Sequence, residues 1–175
     1  MIPFELEDAI AILHRTPHIL REWLTGLDDR WLHADEGPDT WSPQAVVAHL
    51  IYGEQTDWIP RMQIILGNSE DKQFLPFDRE GHIPLAHHRT IESLLQQFEN
   101  LRQENLMILN SFEITIDDLR RTGVHPAFGE VTLCQLLSAW VVHDLTHFAQ
   151  IARVIARQYE IEIGPWAAYM GVLRK

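Results

Sequence analysis

The sequence has one cysteine, few basic residues and no long apolar run. Cys134 cannot form an internal disulfide, which is typical of a protein in a reducing compartment. Lys and Arg number 14 against 25 Asp and Glu, so the net charge is −11 and no basic patch is present. Nucleic acid and anionic membranes both require such a patch. No apolar stretch approaches the roughly 20 residues of a membrane span. The composition therefore argues against nucleic-acid and membrane partners.

The first twenty residues, MIPFELEDAIAILHRTPHIL, are acidic early and lack the basic-then-apolar order of a signal peptide. We therefore expect a cytoplasmic protein. The chain has 175 residues and shows no repeat, low-complexity tract or hinge-like linker. We expect a single domain over residues 1–175.

Apolar periodicity predicts four helical segments, at about residues 3–26, 43–66, 90–111 and 132–159. The segments between them, above all 69–89 and 112–131, are rich in Gly and Pro and show no strand pattern. The sequence thus predicts an all-α protein, a four-helix bundle with a short C-terminal segment after Gly164 and Pro165.

Local signals refine these helices. We expect Pro17 to kink the first helix, or to restart it with Thr16 as its N-cap, and Pro60 to bend the second. Thr132 and Gln135 have the spacing of a capping box and predict the start of the fourth helix.

Two histidines interrupt the apolar stripe of the fourth helix. His143 and His147 are four residues apart, so they share one helix face with Cβ atoms about 6 Å apart. That spacing suits chelation by two imidazoles. The alternative is that they are hydrogen-bonded core side chains. His49 stands among apolar residues of the second helix and offers a third ligand, with Gly53 one turn along leaving room beside its ring. Three histidines from two helices predict a divalent-metal site with an open position.

Other histidines fit such a site less well. His14 and His18 are also four apart, but we expect Pro17 to disturb their spacing and leave them partly exposed. The HDLTH run at 143–147 is similar to the zincin signature, yet its acid is Asp144 rather than glutamate. We expect no strand for a peptide substrate to pair with. These departures argue against a peptidase.

The ordered set of motifs resembles the DinB/YfiT-like superfamily. It comprises TWSPQAVVAHLIYGEQTDWIPR at 40–61, PFDREGH at 76–82, GVHPAFGEVTLCQLLSAWVVHDLTHFAQIARVIARQY at 123–159 and GPWAAY at 164–169. The resemblance implies a four-helix bundle in which His49, His143 and His147 bind one divalent ion, with nickel, zinc, iron or manganese as the metal. It also implies a transferase or isomerase that uses a low-molecular-weight thiol, or a related hydrolase, acting on a small-molecule substrate.

The residues leave the mechanism open. A thiol or a water molecule at an ion held by three neutral imidazoles would lose its proton near neutral pH, so transfer and hydrolysis both fit. The catalytic residues are not identified. A non-catalytic module that binds a metal or a small ligand on the same bundle is the alternative function. We expect Asp144 to serve at the surface or behind the ligands, and Tyr52 and Thr56 to orient ligands or substrate.

Two further expectations concern the surroundings of the site. Loop 76–82 is expected to cap the pocket, with Arg79 holding an acidic group of the substrate. We also expect a homodimer, since twofold pairs are common among proteins of this kind.

Overall fold

A computed structural model describes residues 2–87 and 89–174. Four helices form the bundle: α1 (Leu6–Leu24), α3 (Pro43–Thr56), α6 (Ile91–Ser111) and α7 (Leu133–Arg157). Helices α6 and α7 each pack against both α1 and α3, which closes the bundle. The four-helix-bundle prediction is confirmed. Within the described residues, no helix is both long enough and apolar enough to cross a bilayer.

Helix α1 differs from expectation at its proline. It runs through Pro17 as one helix, so the predicted restart at Thr16 is wrong. The Thr16 side chain instead donates a 2.6 Å hydrogen bond to Asp144 Oδ2 on α7, and Pro17 is buried. Tertiary packing therefore outweighs the cost of a proline inside the helix.

The second predicted helix is broken in two. Helix α3 ends at Thr56, and α4 (Trp58–Leu66) begins one residue later, after Asp57, whose φ is −111° and ψ is −65°. Pro60 has no N–H to donate to the carbonyl of Thr56, and its ring disfavours a straight helix through that point. The bend that Pro60 predicts is thus a break at Asp57, three residues earlier, which separates α3 from α4.

The capping box of Thr132 and Gln135 begins α7, as predicted. The side chains of Ser42 and Thr90 cap α3 and α6. Short helical turns occupy α2 (Asp29–Leu32), α5 (Ile83–Ala86) and three 3₁₀ segments, Asp118–Arg120, Gly164–Tyr169 and Gly171–Leu173.

The expectation of no strand is wrong. Strands β1 (Thr122–His125) and β2 (Gly129–Thr132) form an antiparallel hairpin directly before α7. The segment 69–89 joins it through a parallel bridge between Gln73 and Val124. Gly123 on β1 allows this approach, because a Cβ there would lie 2.4 Å from Cε1 of Phe74. The hairpin and this loop form an annex at one end of the bundle.

The core consists of two apolar clusters. One surrounds α4, the start of α7 and the end of α6, with Leu13, Met62, Leu109 and Trp140 among its members. The other contains Leu20, Ile51, Phe98 and Ile151. Between Leu13 and Leu20 on α1 lies Thr16, and between Phe98 and Leu106 on α6 lies Arg102, so a polar layer separates the clusters.

Candidate metal centre

Three histidines converge where α3 faces α7. Nε2 of His143 lies 3.0 Å from Nε2 of His49 and 3.1 Å from Nε2 of His147. Each residue offers one ligand atom, and these three atoms all lie within 4.8 Å of one another. Helix α3 supplies one ring and α7 two, because the i,i+4 spacing stacks His143 and His147 on one face. The structure thus brings together the three residues that the sequence singles out.

Burial keeps these rings neutral. Burial, together with the neighbouring rings, lowers the pKa of His49 to about 3 and that of His143 to about 2. Burial also lowers the pKa of His147, although its hydrogen bond to Gln150 opposes the shift. Since only a neutral imidazole has a free lone pair, all three are ready to ligate a cation at neutral pH.

The proton positions also fit a shared ion. Nδ1 of His147 lies 2.8 Å from Oε1 of Gln150, which accepts a hydrogen from Nδ1 and leaves the Nε2 lone pair facing the cluster. The Nδ1 atoms of His49 and His143 are buried and have no partner among the described residues. Ring packing holds them instead, with Trp41 at 4.6 Å from His49 and Trp58 at 5.1 Å from His143, centroid to centroid.

Hydrogen bonding alone does not account for the Nε2 cluster. The Nε2 atom of His143 has a single in-plane site, either a proton or a lone pair, yet it meets two other Nε2 atoms. Nitrogens bound tetrahedrally to one ion at 2.0–2.1 Å lie about 3.4 Å apart, and the two distances from His143 are within a few tenths of an ångström of that value. The donor set therefore fits a divalent ion.

A fully buried arginine lies behind the histidines. The guanidinium of Arg102 donates to Asp144 at 2.7 and 3.1 Å, to Glu54 Oε1 at 2.8 Å and to the carbonyl of Leu13 at 2.7 Å. Glu54 also accepts from Trp140 Nε1 at 2.9 Å. The two carboxylates raise the pKa of Arg102 against the opposing effect of burial, and it stays charged.

This arginine network continues the polar layer and reaches the metal centre. Asp144 directly follows His143 in the sequence, and Glu54 comes five residues after His49. Asp144 is 1% exposed, so of its two expected positions, at the surface or behind the histidines, the structure excludes the surface. Trp140 is buried in the core, and its indole N–H also donates a hydrogen bond to this network.

A fourth histidine lies beside the cluster. His82 is buried, with its ring 4.4 Å from Trp41 and 5.4 Å from His49 between centroids. Gly81 fixes this position, because a Cβ there would lie 2.3 Å from Cζ of Tyr52. The sequence did not single out His82, because a histidine in a loop belongs to no helical or strand period.

The annex covers a cavity of about 650 Å³ over the three histidines. Its walls include Pro76, Phe77 and Arg79 from the loop and residues 125–128 from the hairpin, so loop 76–82 caps the pocket as expected. The floor carries Gly53, Trp58 and the histidines. A cavity of this size accommodates a small organic molecule.

Several predicted neighbours lie elsewhere. Thr56 is exposed and donates to the carbonyl of Tyr52, and Tyr52 packs against Phe77 rather than facing the histidines. The space beside Gly53 is bounded by Trp58, whose Nε1 would be 3.4 Å from an added Cβ. Both His14 and His18 are exposed, although the unbroken helix keeps their spacing.

Sequence reasoning also missed Arg102, Glu54, Asp57 and Arg61. The signal for Arg102 was present, because it follows Leu95 and Phe98 by seven and four residues on the apolar stripe of α6.

Fold and site together define a four-helix-bundle protein with a buried three-histidine cluster that fits a metal ion. The model of the DinB superfamily matches residues 12–151, and the chain belongs to that family. The chain matches none of the curated proteins with which it was compared.

Two solved structures share the fold. One is YfiT from Bacillus subtilis, which is described as a probable metal-dependent hydrolase with an unusual four-helix bundle topology. It superposes with a TM-score of 0.71 at 20% identity, and the match covers 90% of this chain and 91% of that one. TT2238, a four-helix bundle protein, gives a TM-score of 0.51 at 20% identity over 87% of this chain and 97% of that one. At this identity, the likeness shows the fold.

Proposed function

We propose that this protein is a metal-dependent enzyme in which His49, His143 and His147 hold one divalent ion. The proposed reaction is the transfer of a low-molecular-weight thiol to a small electrophilic substrate, or a related hydrolysis. The observation that carries the proposal is the meeting of three neutral Nε2 atoms at the floor of a cavity. The description of the YfiT structure as a probable metal-dependent hydrolase agrees with it.

The surroundings suit chemistry at an open coordination position. A divalent ion held by three neutral imidazoles would act as a Lewis acid and lower the pKa of a bound thiol or water. The chain's own part is to place the substrate and to limit access of bulk water. Trp41, Trp58 and Phe77 provide apolar walls for this purpose, and α3 and α7 hold the ligands in fixed relation.

The ligand assignment is tested by metal analysis of untagged protein. His143→Ala and His147→Ala should each lose most of the bound ion, since two imidazoles chelate far more weakly than three. His14→Ala is the matched control, because His14 belongs to the other i,i+4 pair and is exposed. Equal metal loss in all three variants would contradict the assignment.

The reaction class is tested on the cobalt(II) protein. Thiolate ligation adds a charge-transfer band in the near ultraviolet, which we expect with at least one physiological thiol and not in His49→Ala. Turnover of that thiol with an electrophile would establish a transferase. Ester or amide hydrolysis without any thiol effect would establish a hydrolase. Metal binding with neither activity would favour the non-catalytic binding module.

A further inference from the structure

The cavity wall carries two arginines in a chain whose net charge is −11. Arg79 lies at the rim and is exposed, whereas Arg61 is only 8% exposed. Arg61 lies near the start of α4, just after the break at Asp57 that separates this helix from α3. A nearly buried guanidinium beside a substrate-sized cavity requires an explanation, because arginine is rarely buried without a partner.

One side of the Arg61 guanidinium is held by the protein. Nε lies 2.6 Å from Oδ1 of Asp57, and the guanidinium carbon lies 5.3 Å from the centroid of the Phe74 ring. Asp57 is itself 8% exposed. These contacts fix the orientation of the side chain and leave the two terminal amino groups to find other acceptors.

Those amino groups have no acceptor among the described residues. An arginine has five N–H donors, and only the Nε side faces Asp57. The fully buried side-chain nitrogens without partners are Arg102 Nε and ring nitrogens of His49, His82 and His143, and the Arg61 amino groups are not among them. They therefore reach accessible space, and the space that Arg61 lines is the cavity.

The positive charge of Arg61 also reaches the hairpin. Burial lowers the pKa of His125, and the charge of Arg61 lowers it further. His125 lines the same cavity, so Arg61 acts across the space between α4 and the annex. The cavity thus has a floor of three histidines and a side wall that carries the Arg61 guanidinium beside its partner Asp57.

We propose that Arg61, with Arg79 at the rim, forms an anion subsite that binds a carboxylate of the substrate whose reacting group lies at the three histidines. The planar end of a guanidinium matches the two oxygens of a carboxylate. Asp57 is a positioning residue that holds the opposite side of the fork. This inference rests on the proposed function and narrows its substrates to small organic acids.

Anion binding is measured without metal chemistry or turnover. The probe is the dicarboxylate glutarate, with glutaramide as its neutral isostere, added to the full-length protein while the Nε–H signals of ¹⁵N-labelled arginines are recorded. We expect a saturable shift of the Arg61 signal with glutarate and none with glutaramide. Arg61→Gln should weaken glutarate binding about tenfold or more, as loss of a charge-assisted pair predicts.

Two further variants make the measurement decisive. Arg61→Lys keeps the charge and loses the fork, so it should bind glutarate with intermediate affinity even if Arg61→Gln fails to fold. Arg21→Gln is the control, because Arg21 pairs with Glu99 away from the cavity, and its glutarate affinity should equal that of the wild type. No shift at Arg61, or the same affinity in Arg61→Lys as in the wild type, would overturn the subsite.

A second measurement separates the subsite from the proposed function. On the cobalt(II) protein, 3-mercaptopropionate should give the charge-transfer band at about a tenfold lower concentration than 2-mercaptoethanol, and Arg61→Lys should reduce that ratio. Equal affinity for the two thiols would overturn the subsite and leave the metal site standing. Glutarate binding at Arg61 in a protein that takes up no metal would support the subsite and refute the proposed function.

Discussion

Removing the guanidinium of Arg102 should lower the free energy of unfolding more than removing any surface cation does. In Arg102→Met, Glu54 and Asp144 lose the one cation that pairs with them among the described residues, and both of these side chains are 1% exposed. Breaking a buried ion pair from one side costs about 3–5 kcal/mol, because the remaining charge stays buried and unpaired. Here two carboxylates are left, although Thr16, Asn105 and Trp140 still donate to them.

That loss is large for a chain of this size. Domains are typically stable by about 5–15 kcal/mol, and in a protein of 150–250 residues each kcal/mol shifts Tm by about 2–4 °C. We therefore expect Tm to fall by about 6–20 °C. Urea denaturation at one fixed metal concentration gives the free energy of unfolding, since ligand binding would otherwise add to it.

The matched control is Arg21→Met. Its partner Glu99 lies 2.6 Å away, but the Arg21 side chain is 30% exposed, so loss of this pair should cost at most about 1 kcal/mol. If Arg102→Met is no less stable than Arg21→Met, the reasoning from buried unpaired charge is refuted. The triple variant Glu54→Gln, Arg102→Met, Asp144→Asn removes the charges together and should regain part of the lost stability.

Three other predictions follow from the same structure. Between pH 7 and 5 the metal-free protein should lose stability, by up to about 1.4 kcal/mol per pH unit for each clustered histidine. The reason is that histidines of the unfolded chain take up protons near pH 6.5, whereas the lowered pKa values of His49 and His143 keep those rings neutral in the folded protein. A urea midpoint that stays constant over this range would contradict the prediction. Metal content should fall over this range only as far as the chain unfolds, because the rings of the folded protein stay neutral. Gly123→Ala should lower the free energy of unfolding by about 1–3 kcal/mol, since its Cβ meets Phe74, whereas Gly171→Ala, which meets nothing within 4 Å, should not; equal urea midpoints for the two variants would be the contrary result. The expected homodimer predicts twice the chain mass in light scattering at high micromolar concentration, and a monomer mass there would rule it out.

The sequence predicted the parts of the fold that depend on local signals. The capping box at Thr132 and the long apolar stripes placed four helices, and the stripe of α7 singled out His143 and His147. Short strands such as TGVH and GEVT carry too few apolar residues for a period of two to be visible.

What the sequence could not place depends on contacts between distant segments. The Arg102 network joins residues from four helices, and His82 reaches the cluster only because the annex packs on Tyr52. A lone arginine or a loop histidine gives no spacing that identifies such a partner. Arg102 was nevertheless detectable in principle, as a charged residue on an otherwise apolar stripe.

Because of the annex, the three histidines and the wall of the cavity belong to different parts of the fold. The histidines belong to the bundle, whereas the cap and one wall of the cavity come from the loop and hairpin joined at Gln73 and Val124. Insertions or substitutions in these two connections can therefore reshape what enters the cavity while the helices that carry the ligands keep their packing. Exchange of the annex between bundles of this kind would change the cavity wall and leave the three-histidine cluster unchanged.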